Sequence, residues 1–360
     1  MKKILFLLLI LFPIKIFALS ASSAIAMDLD TGRVLYGYNI EEKKLIASTT
    51  KIMTAIIAIE KGNLNKEIEV TDIIYEAFGS AIYIEVGEKL TLKDLLYGLM
   101  LRSGNDAALA IAEAVAGSEE EFVYLMNEYA NNLNMKNTIF YNPHGLEEDN
   151  GNANTSTTLD MAKLTKYAME NSIFREIFKT KKYTIKTNYK TYVWHNKNKL
   201  LSLDYITGGK TGFTELARRT LVTTGSKDNI NIVVVTLNDP NDWSDHKALY
   251  EKIFIDYENY QLINKDKFEI KNRKYYQKDF LYVKNDYYMT LTKDEFKNAL
   301  LNINLIKFKD YVDDSLVGYV EVKLKDDIFH KEPIYVIKYK EEKEEKLNWW
   351  QKFRGWLFKW

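Results

Sequence analysis

The sequence predicts an α/β domain, built on a mainly antiparallel sheet flanked by helices, then a small all-β domain and an amphipathic C-terminal helix. Three observations carry that expectation. A hairpin pattern near the start and two consecutive apolar strand patterns, 220–224 and 230–237, bracket a helical middle. After about Tyr260 glycine nearly vanishes, and short alternating runs rich in Lys, Tyr and Ile take over. The stretch from Leu347 to Trp360 places aromatics at helical spacing.

A chain of 360 residues has room for two or three domains. Its 50 basic and 50 acidic residues cancel, which gives no support to nucleic-acid binding, a function that needs a strongly basic face. There is no cysteine, so a disulfide framework, a thiolate nucleophile and a zinc–thiolate site are excluded. The four histidines, His144, His195, His246 and His330, show no metal-ligand spacing. Neither a metal nor a cofactor is expected.

The chain opens with Met1-Lys2-Lys3, an apolar run from Ile4 to Ile14, and Ala18-Leu19-Ser20 before Ala21. A basic start, a short apolar core and small residues at a cut site read as a secretory signal peptide over 1–20, although Lys15 blurs the end of the core. The run is too short to span a membrane. The mature chain is expected to start near Ala21, outside the cytoplasm.

Ser23 to Asp28 alternates, and Asp30-Thr31-Gly32 supplies a turn before Val34-Leu35-Tyr36, predicting a hairpin. Next comes Ala47-Ser48-Thr49-Thr50-Lys51, leading into the apolar run Ile52–Ile59. Read as one helix, Ser48 and Lys51 share a face, so the lysine points at the serine. A desolvated amine near the positive end of a helix is driven toward its neutral form, and a neutral amine can activate a hydroxyl as a nucleophile.

Thr91 and Asp94 form a capping box for a helix through Leu92–Met100. Arg102-Ser103-Gly104-Asn105-Asp106 breaks the helices, with Asn105 or Asp106 expected to cap Ala107–Ala116, and Gly117 to stop it. Ser118 with Glu121 starts another helix. Tyr141–Leu146 is a loop, and Leu159–Met169 is helical. Tyr183–Val193 alternates like strands. Lys210-Thr211-Gly212 is expected to begin a strand, and Ser244 to cap a helix through Leu249, Ile253 and Phe254.

Domain boundaries follow: 1–20 leader, 21–260 main domain, 261–340 small β-rich domain, 341–360 terminal helix. In the last segment Trp349, Trp350, Phe353, Trp356, Leu357 and Trp360 share one side, while Asn348, Gln351, Lys352 and Lys359 share the other. Aromatics opposite lysines describe a helix lying in a membrane interface.

Three triplets occur in order: Ser48-x-x-Lys51, Ser103-x-Asn105 and Lys210-Thr211-Gly212. That order belongs to the penicillin-binding proteins and class A β-lactamases. More narrowly, Ala47–Thr54, Asn142-Pro143-His144-Gly145-Leu146 and Lys210–Thr214 resemble the D-alanyl-D-alanine carboxypeptidases of serine peptidase family S11, the low-molecular-mass penicillin-binding proteins. The similarity runs from about Ser23 to Tyr260. It implies a β-lactamase/transpeptidase-like catalytic domain and removal of the terminal D-alanine from peptidoglycan pentapeptides. It also implies covalent inhibition by β-lactams, and attachment to the outer face of the cytoplasmic membrane through the C-terminal helix.

The chemistry then assigns roles. Ser48 is the nucleophile and Lys51 its base, with Ser103 as proton relay. Asn105 would hold the acyl donor, Lys210 and Thr211 the terminal carboxylate, and Gly212 would let substrate approach the strand edge. The Ser48 amide and an amide after Gly212 would meet the oxyanion. Arg219 and Lys247 are further candidates for the carboxylate. His144 reads as a loop-fixing residue, since no G-x-S-x-G elbow exists.

The chain departs from the family pattern twice. No histidine precedes the threonines of Asn154–Thr158, and Arg218 stands where a glycine is usual. The alternatives are a D,D-endopeptidase on cross-linked peptidoglycan, a class A-like β-lactamase and a non-catalytic wall-binding protein. Glu147 and Glu148 bear on the lactamase reading, but the E-x-x-L-N context is missing.

Overall fold

A computed structural model describes residues 19–270 and 275–339. Most of the expected leader and all of the helix expected over 341–360 lie outside the described residues. No helix among the described residues is long and apolar enough to cross a membrane. The chain divides between Asp256 and Tyr257 into two compact units.

The first unit is organised by a five-stranded sheet. Its strands are β1 (Ser23–Asp28), β2 (Val34–Tyr38), β3 (Ile206–Thr214), β4 (Arg218–Lys227) and β5 (Ile230–Leu237). Their order is β2-β1-β5-β4-β3, and every pair is antiparallel. Among the described residues seven α-helices belong to this unit: α1 (Lys51–Lys61), α2 (Leu92–Tyr97), α3 (Asn105–Ala116), α4 (Glu119–Asn132), α5 (Thr158–Glu170), α6 (Ser172–Lys179) and α7 (Asp242–Asp256).

Side chains alternate across a strand, so β4 and β5 each serve two faces. Val222, Val233 and Val235 enter the main core with α1 and α5. Thr223 and Thr236 face the other way and hydrogen-bond the ring of His246 on α7. This two-sided burial explains the solid apolar run of β5. Helix α1 is buried from Lys51 through Ile59, as expected of a helix apolar on all sides.

The local signals are mostly realised. The Thr91–Asp94 capping box starts α2, and Ser118 caps α4. Gly117 ends α3 in a left-handed conformation, φ 88. Two expectations are corrected. Ser244 caps nothing, because α7 already starts at Asp242. Neither Asn105 nor Asp106 caps α3, because that helix begins at Asn105 with Gly104 at its cap position.

The second unit holds a four-stranded antiparallel sheet ordered Phe280–Val283, Asp327–Ile337, Ser315–Leu324, Ala299–Leu305, and a separate pair, Tyr257–Ile263 with Tyr287–Thr292. Its core is built from Leu281, Leu291, Val317, Val320, Val322 and Ile334 with neighbours. The unit is not purely β. A six-residue helix, Lys293–Asn298, carries a Thr292–Glu295 capping box that the alternating pattern concealed.

Candidate active site

Ser48 sits in a 3-10 turn, Ala47–Thr50, and α1 begins only at Lys51. The serine therefore stands one short turn ahead of the helix instead of inside it. Ala47 before it has φ 46, a left-handed value uncommon for a residue with a side chain. The lysine still faces the serine. Lys51 Nζ lies 3.1 Å from Ser48 Oγ, 2.7 Å from Asn105 Oδ1 and 2.7 Å from the His144 carbonyl oxygen.

The Lys51 side chain is 0% exposed. Burial first, then the charges of Lys210 and Lys197, hold its amine well below the ordinary lysine range, with Asp106 pulling the other way. A neutral amine has two N–H groups and one lone pair. Asn105 Oδ1 and His144 O can only accept, so they take the two N–H groups. The lone pair is left for the Ser48 hydroxyl.

The loop that brings His144 is fixed from several sides. Asn142 Oδ1 accepts from Gly145 N at 2.7 Å, and its Nδ2 donates to Leu146 O at 2.9 Å. His144 Nδ1 accepts from Leu146 N at 3.1 Å, and burial together with the Lys51 charge pulls the ring down to about 3. This histidine is neutral at physiological pH and contributes its backbone carbonyl to the lysine. Gly145 has φ 89, and a Cβ there would lie 2.0 Å from Ala47 O. Only glycine permits that approach beneath the serine turn.

Ser103 follows a π turn over Gly98–Arg102 and adopts φ 64, ψ 36. It is a left-handed elbow that closes this turn, its backbone N–H donating to Gly98 O, just ahead of α3. Its Oγ accepts from Lys210 Nζ at 3.0 Å. Asn105 is 1% exposed; besides its bond to Lys51, its Nδ2 donates to Phe78 O. It braces the lysine from below the cleft, a task the sequence did not assign. Asp106 next to it accepts from Ile82 N at 3.0 Å and Tyr83 N at 2.8 Å, fixing the loop above the helix.

Lys210-Thr211-Gly212 lies in the middle of β3, not at its start, paired as Lys210↔Val222 and Gly212↔Thr220. β3 is an edge of the sheet, so its other side is open to an extended ligand. Lys210 is 2% exposed, and burial with the Lys197 charge draws its amine down to about 7. A Cβ on Gly212 would meet Thr220 Oγ1 at 2.3 Å and Ser48 N at 3.0 Å, so this strand passes against the Ser48 amide.

A cleft of about 420 Å³ collects these groups. Ser48, Ser103, Thr211 and Gly212 line it, while Lys51, Asn105 and Lys210 lie behind its wall. Sequence reasoning missed Ser80, Lys197 and Trp243, which line it too. Of the two further carboxylate candidates, Arg219 reaches the cleft. It is held by Asp242 through two 2.8 Å bonds and lies over the Trp243 ring. Lys247 does not line it and pairs with Glu251 at 3.7 Å. Arg218, in place of the usual glycine, keeps φ 59, the left-handed backbone a glycine would adopt without strain.

A Ser–Lys pair at the start of a helix, a second serine at a helix break and a Lys-Thr-Gly edge strand, set on this sheet, define the penicillin-binding-protein fold. Within that class the chain belongs to the D-alanyl-D-alanine carboxypeptidase family, peptidase S11, whose model matches residues 13–241. It is 37% identical over 222 residues to D-alanyl-D-alanine carboxypeptidase DacF of Bacillus subtilis, a match covering 60% of this chain but only 56% of that protein. It is 38% identical over 249 residues to the D-alanyl-D-alanine carboxypeptidase of Streptomyces strain K15, covering 63% of this chain and 84% of the relative. A mutant of the Streptomyces K15 DD-transpeptidase superposes with a TM-score of 0.61 at 33% identity, over 65% of this chain and 97% of that one. Penicillin-binding protein 5 from Haemophilus influenzae shares the fold over 89% of this chain and 97% of its own, with a TM-score of 0.72 at 23% identity.

Proposed function

We propose that this protein is a serine-type D-Ala-D-Ala carboxypeptidase that removes the terminal D-alanine of peptidoglycan stem peptides through an acyl-enzyme on Ser48. The observation that carries the reading is the buried Lys51 amine, with both N–H groups occupied by acceptors and Ser48 Oγ 3.1 Å away. A wall-binding protein would have no use for such a base.

The steps follow from the geometry. Lys51 takes the Ser48 proton as Oγ attacks the penultimate D-alanine carbonyl. The oxyanion meets the Ser48 amide and an amide beyond Gly212. Lys51 gives that proton up to the leaving amine through Ser103, whose hydroxyl is held by Lys210. The carbonyl–nitrogen bond breaks and free D-alanine departs. Water then attacks the ester as Lys51 accepts its proton; that proton passes on to Ser48 Oγ as the ester bond breaks, and the shortened peptide is released. Thr211 offers the terminal carboxylate a hydroxyl and Arg219 a cation within the cleft, while Lys210 acts on it from behind the cleft wall. Asn105 enters as the residue that orients Lys51. Penicillins, being cyclic acyl donors with a carboxylate, would acylate Ser48 in the same way.

The address is part of the proposal. The leader pattern over 1–20 and the aromatic–lysine pattern over 341–360 support an exported protein attached peripherally to the outer face of the cytoplasmic membrane, acting in cell-wall biogenesis.

A fluorescent penicillin tests the chemistry. Covalent labelling of the wild type and its loss in Ser48→Ala are expected; folded wild type that takes up no label would sink the mechanism. Product analysis on purified wall peptides separates the activities. Free D-alanine from pentapeptides supports the carboxypeptidase, whereas loss of cross-linked dimers without it would turn the assignment to an endopeptidase.

A further inference from the structure

The expected leader cut, between Ser20 and Ala21, falls on a feature the acyl-transfer chemistry leaves unused. Two aspartates face these residues. Ser20 N lies 2.6 Å and Ala21 N 3.2 Å from Asp245 Oδ2. The Ser20 hydroxyl is 2.8 Å from the same oxygen and 2.8 Å from Asp239 Oδ1. Asp239 is 0% exposed and Asp245 7%. Among the described residues, Asp239 Oδ2 is buried with no hydrogen-bond partner. Among the described residues neither carboxylate has a cation, although the same turn of α7 gives Asp242 its arginine. Burial, with the Asp245 charge adding to it, raises the Asp239 carboxyl to about 6. Buried carboxylates without a counter-charge are costly, and an idle buried acceptor beside them marks an unfilled position.

We infer that this carboxylate pair is the seat of the mature N-terminus: leader removal creates an α-ammonium on Ala21 that bridges Asp245 and Asp239. The position is set by the sheet. Ser22 N donates to Asn238 O at 3.1 Å, and the β1–β5 register begins at Ser23↔Leu237, so Ala21 is held beside Asp239 before any charge appears. Hydrolysis of the Ser20–Ala21 bond by a leader peptidase consumes one water. The new carboxylate stays on Ser20 and leaves with the leader. Ala21 N changes from a single N–H to an ammonium with three. Ser20 takes away its N–H and O–H donors, and the two added N–H groups replace them with a full positive charge. The pair then anchors the first turn of α7, whose Asp242 holds Arg219 at the cleft.

The inference rests on the export half of the proposed function and not on the acyl-transfer half. Intact mass of the exported full chain should give a mature start at Ala21; a chain that starts at any other residue overturns it. The processed chain should melt at least about 3 °C above the same chain acetylated at its N-terminus, and equal melting overturns it. In a timed reaction with an amine-acylating ester, the Ala21 amine of the native protein should react at least about tenfold more slowly than in Asp245→Asn, whereas equal rates refute the ion pair. Penicillin labelling of the same samples reports the acyl-transfer reading separately.

Discussion

Replacing Lys51 by arginine tests the central assignment, because it keeps a cation and removes any accessible lone pair. Lys51 Nζ is 3.1 Å from the Ser48 hydroxyl, within general-base reach. Such a base is worth roughly 10²–10⁴-fold in rate. Loss of the lower figure alone adds about 3 kcal/mol to the acylation barrier. Arginine is also larger, and the site is fully buried, so a packing cost of about 1–3 kcal/mol accompanies it. Thermal melting must therefore be recorded beside activity. The assay is the time course of covalent labelling by a fluorescent penicillin. We expect Lys51→Arg to label at least about 100-fold more slowly. The wild-type rate should fall as pH drops through the depressed Lys51 value, because protonation fills the lone pair. That acid limb should vanish in the variant. A folded Lys51→Arg protein that acylates within about threefold of wild type would refute the lysine-base reasoning.

Three further outcomes are expected. Gly212→Ala places a Cβ 2.3 Å from Thr220 Oγ1 and 3.0 Å from Ser48 N, so both thermal stability, by about 1–3 kcal/mol, and penicillin labelling should fall; a variant normal in both would show that the strand can move away from the nucleophile. Gly145→Ala meets Ala47 O at 2.0 Å in a left-handed position and should cost about 3 kcal/mol or more in a denaturant melt. Lys210 sits near 7 when folded and near about 10.4 when unfolded, so between these values the unfolded chain holds the extra proton and stability rises with pH. Melts at pH 7 and 9 should show that rise in the wild type and a shallower one in Lys210→Met; identical slopes would rule the titration out.

How much was legible depends on what kind of atom does the work. Ser48, Lys51, Ser103 and Lys210 were readable because hydroxyls and amines at fixed spacings advertise themselves in residue names. The His144 carbonyl was not, because every residue owns a carbonyl and only the fold decides which one meets an amine. Asn105 was given to substrate because its side chain can reach outward, yet its burial commits it to Lys51 and Phe78. Lys197 and Trp243 come from segments without a motif and arrive in the cleft through the packing of a loop and a helix start. The sheet was visible in the apolar runs of β4 and β5, whereas the true start of α7 and the capped helix at Lys293 were hidden by competing turn residues.

The left-handed conformation of Ser103 carries a consequence for how such a site persists. An L-residue at φ 64 gives up roughly 1–2 kcal/mol that glycine would keep. The hydroxyl that meets Lys210 is thus maintained against a local gradient: the substitution that relaxes the backbone also deletes the proton relay proposed for Ser103. Selection of this protein for heat resistance alone would drift toward glycine at that elbow, and under the proposed mechanism the most stable descendants would be the ones that no longer turn over.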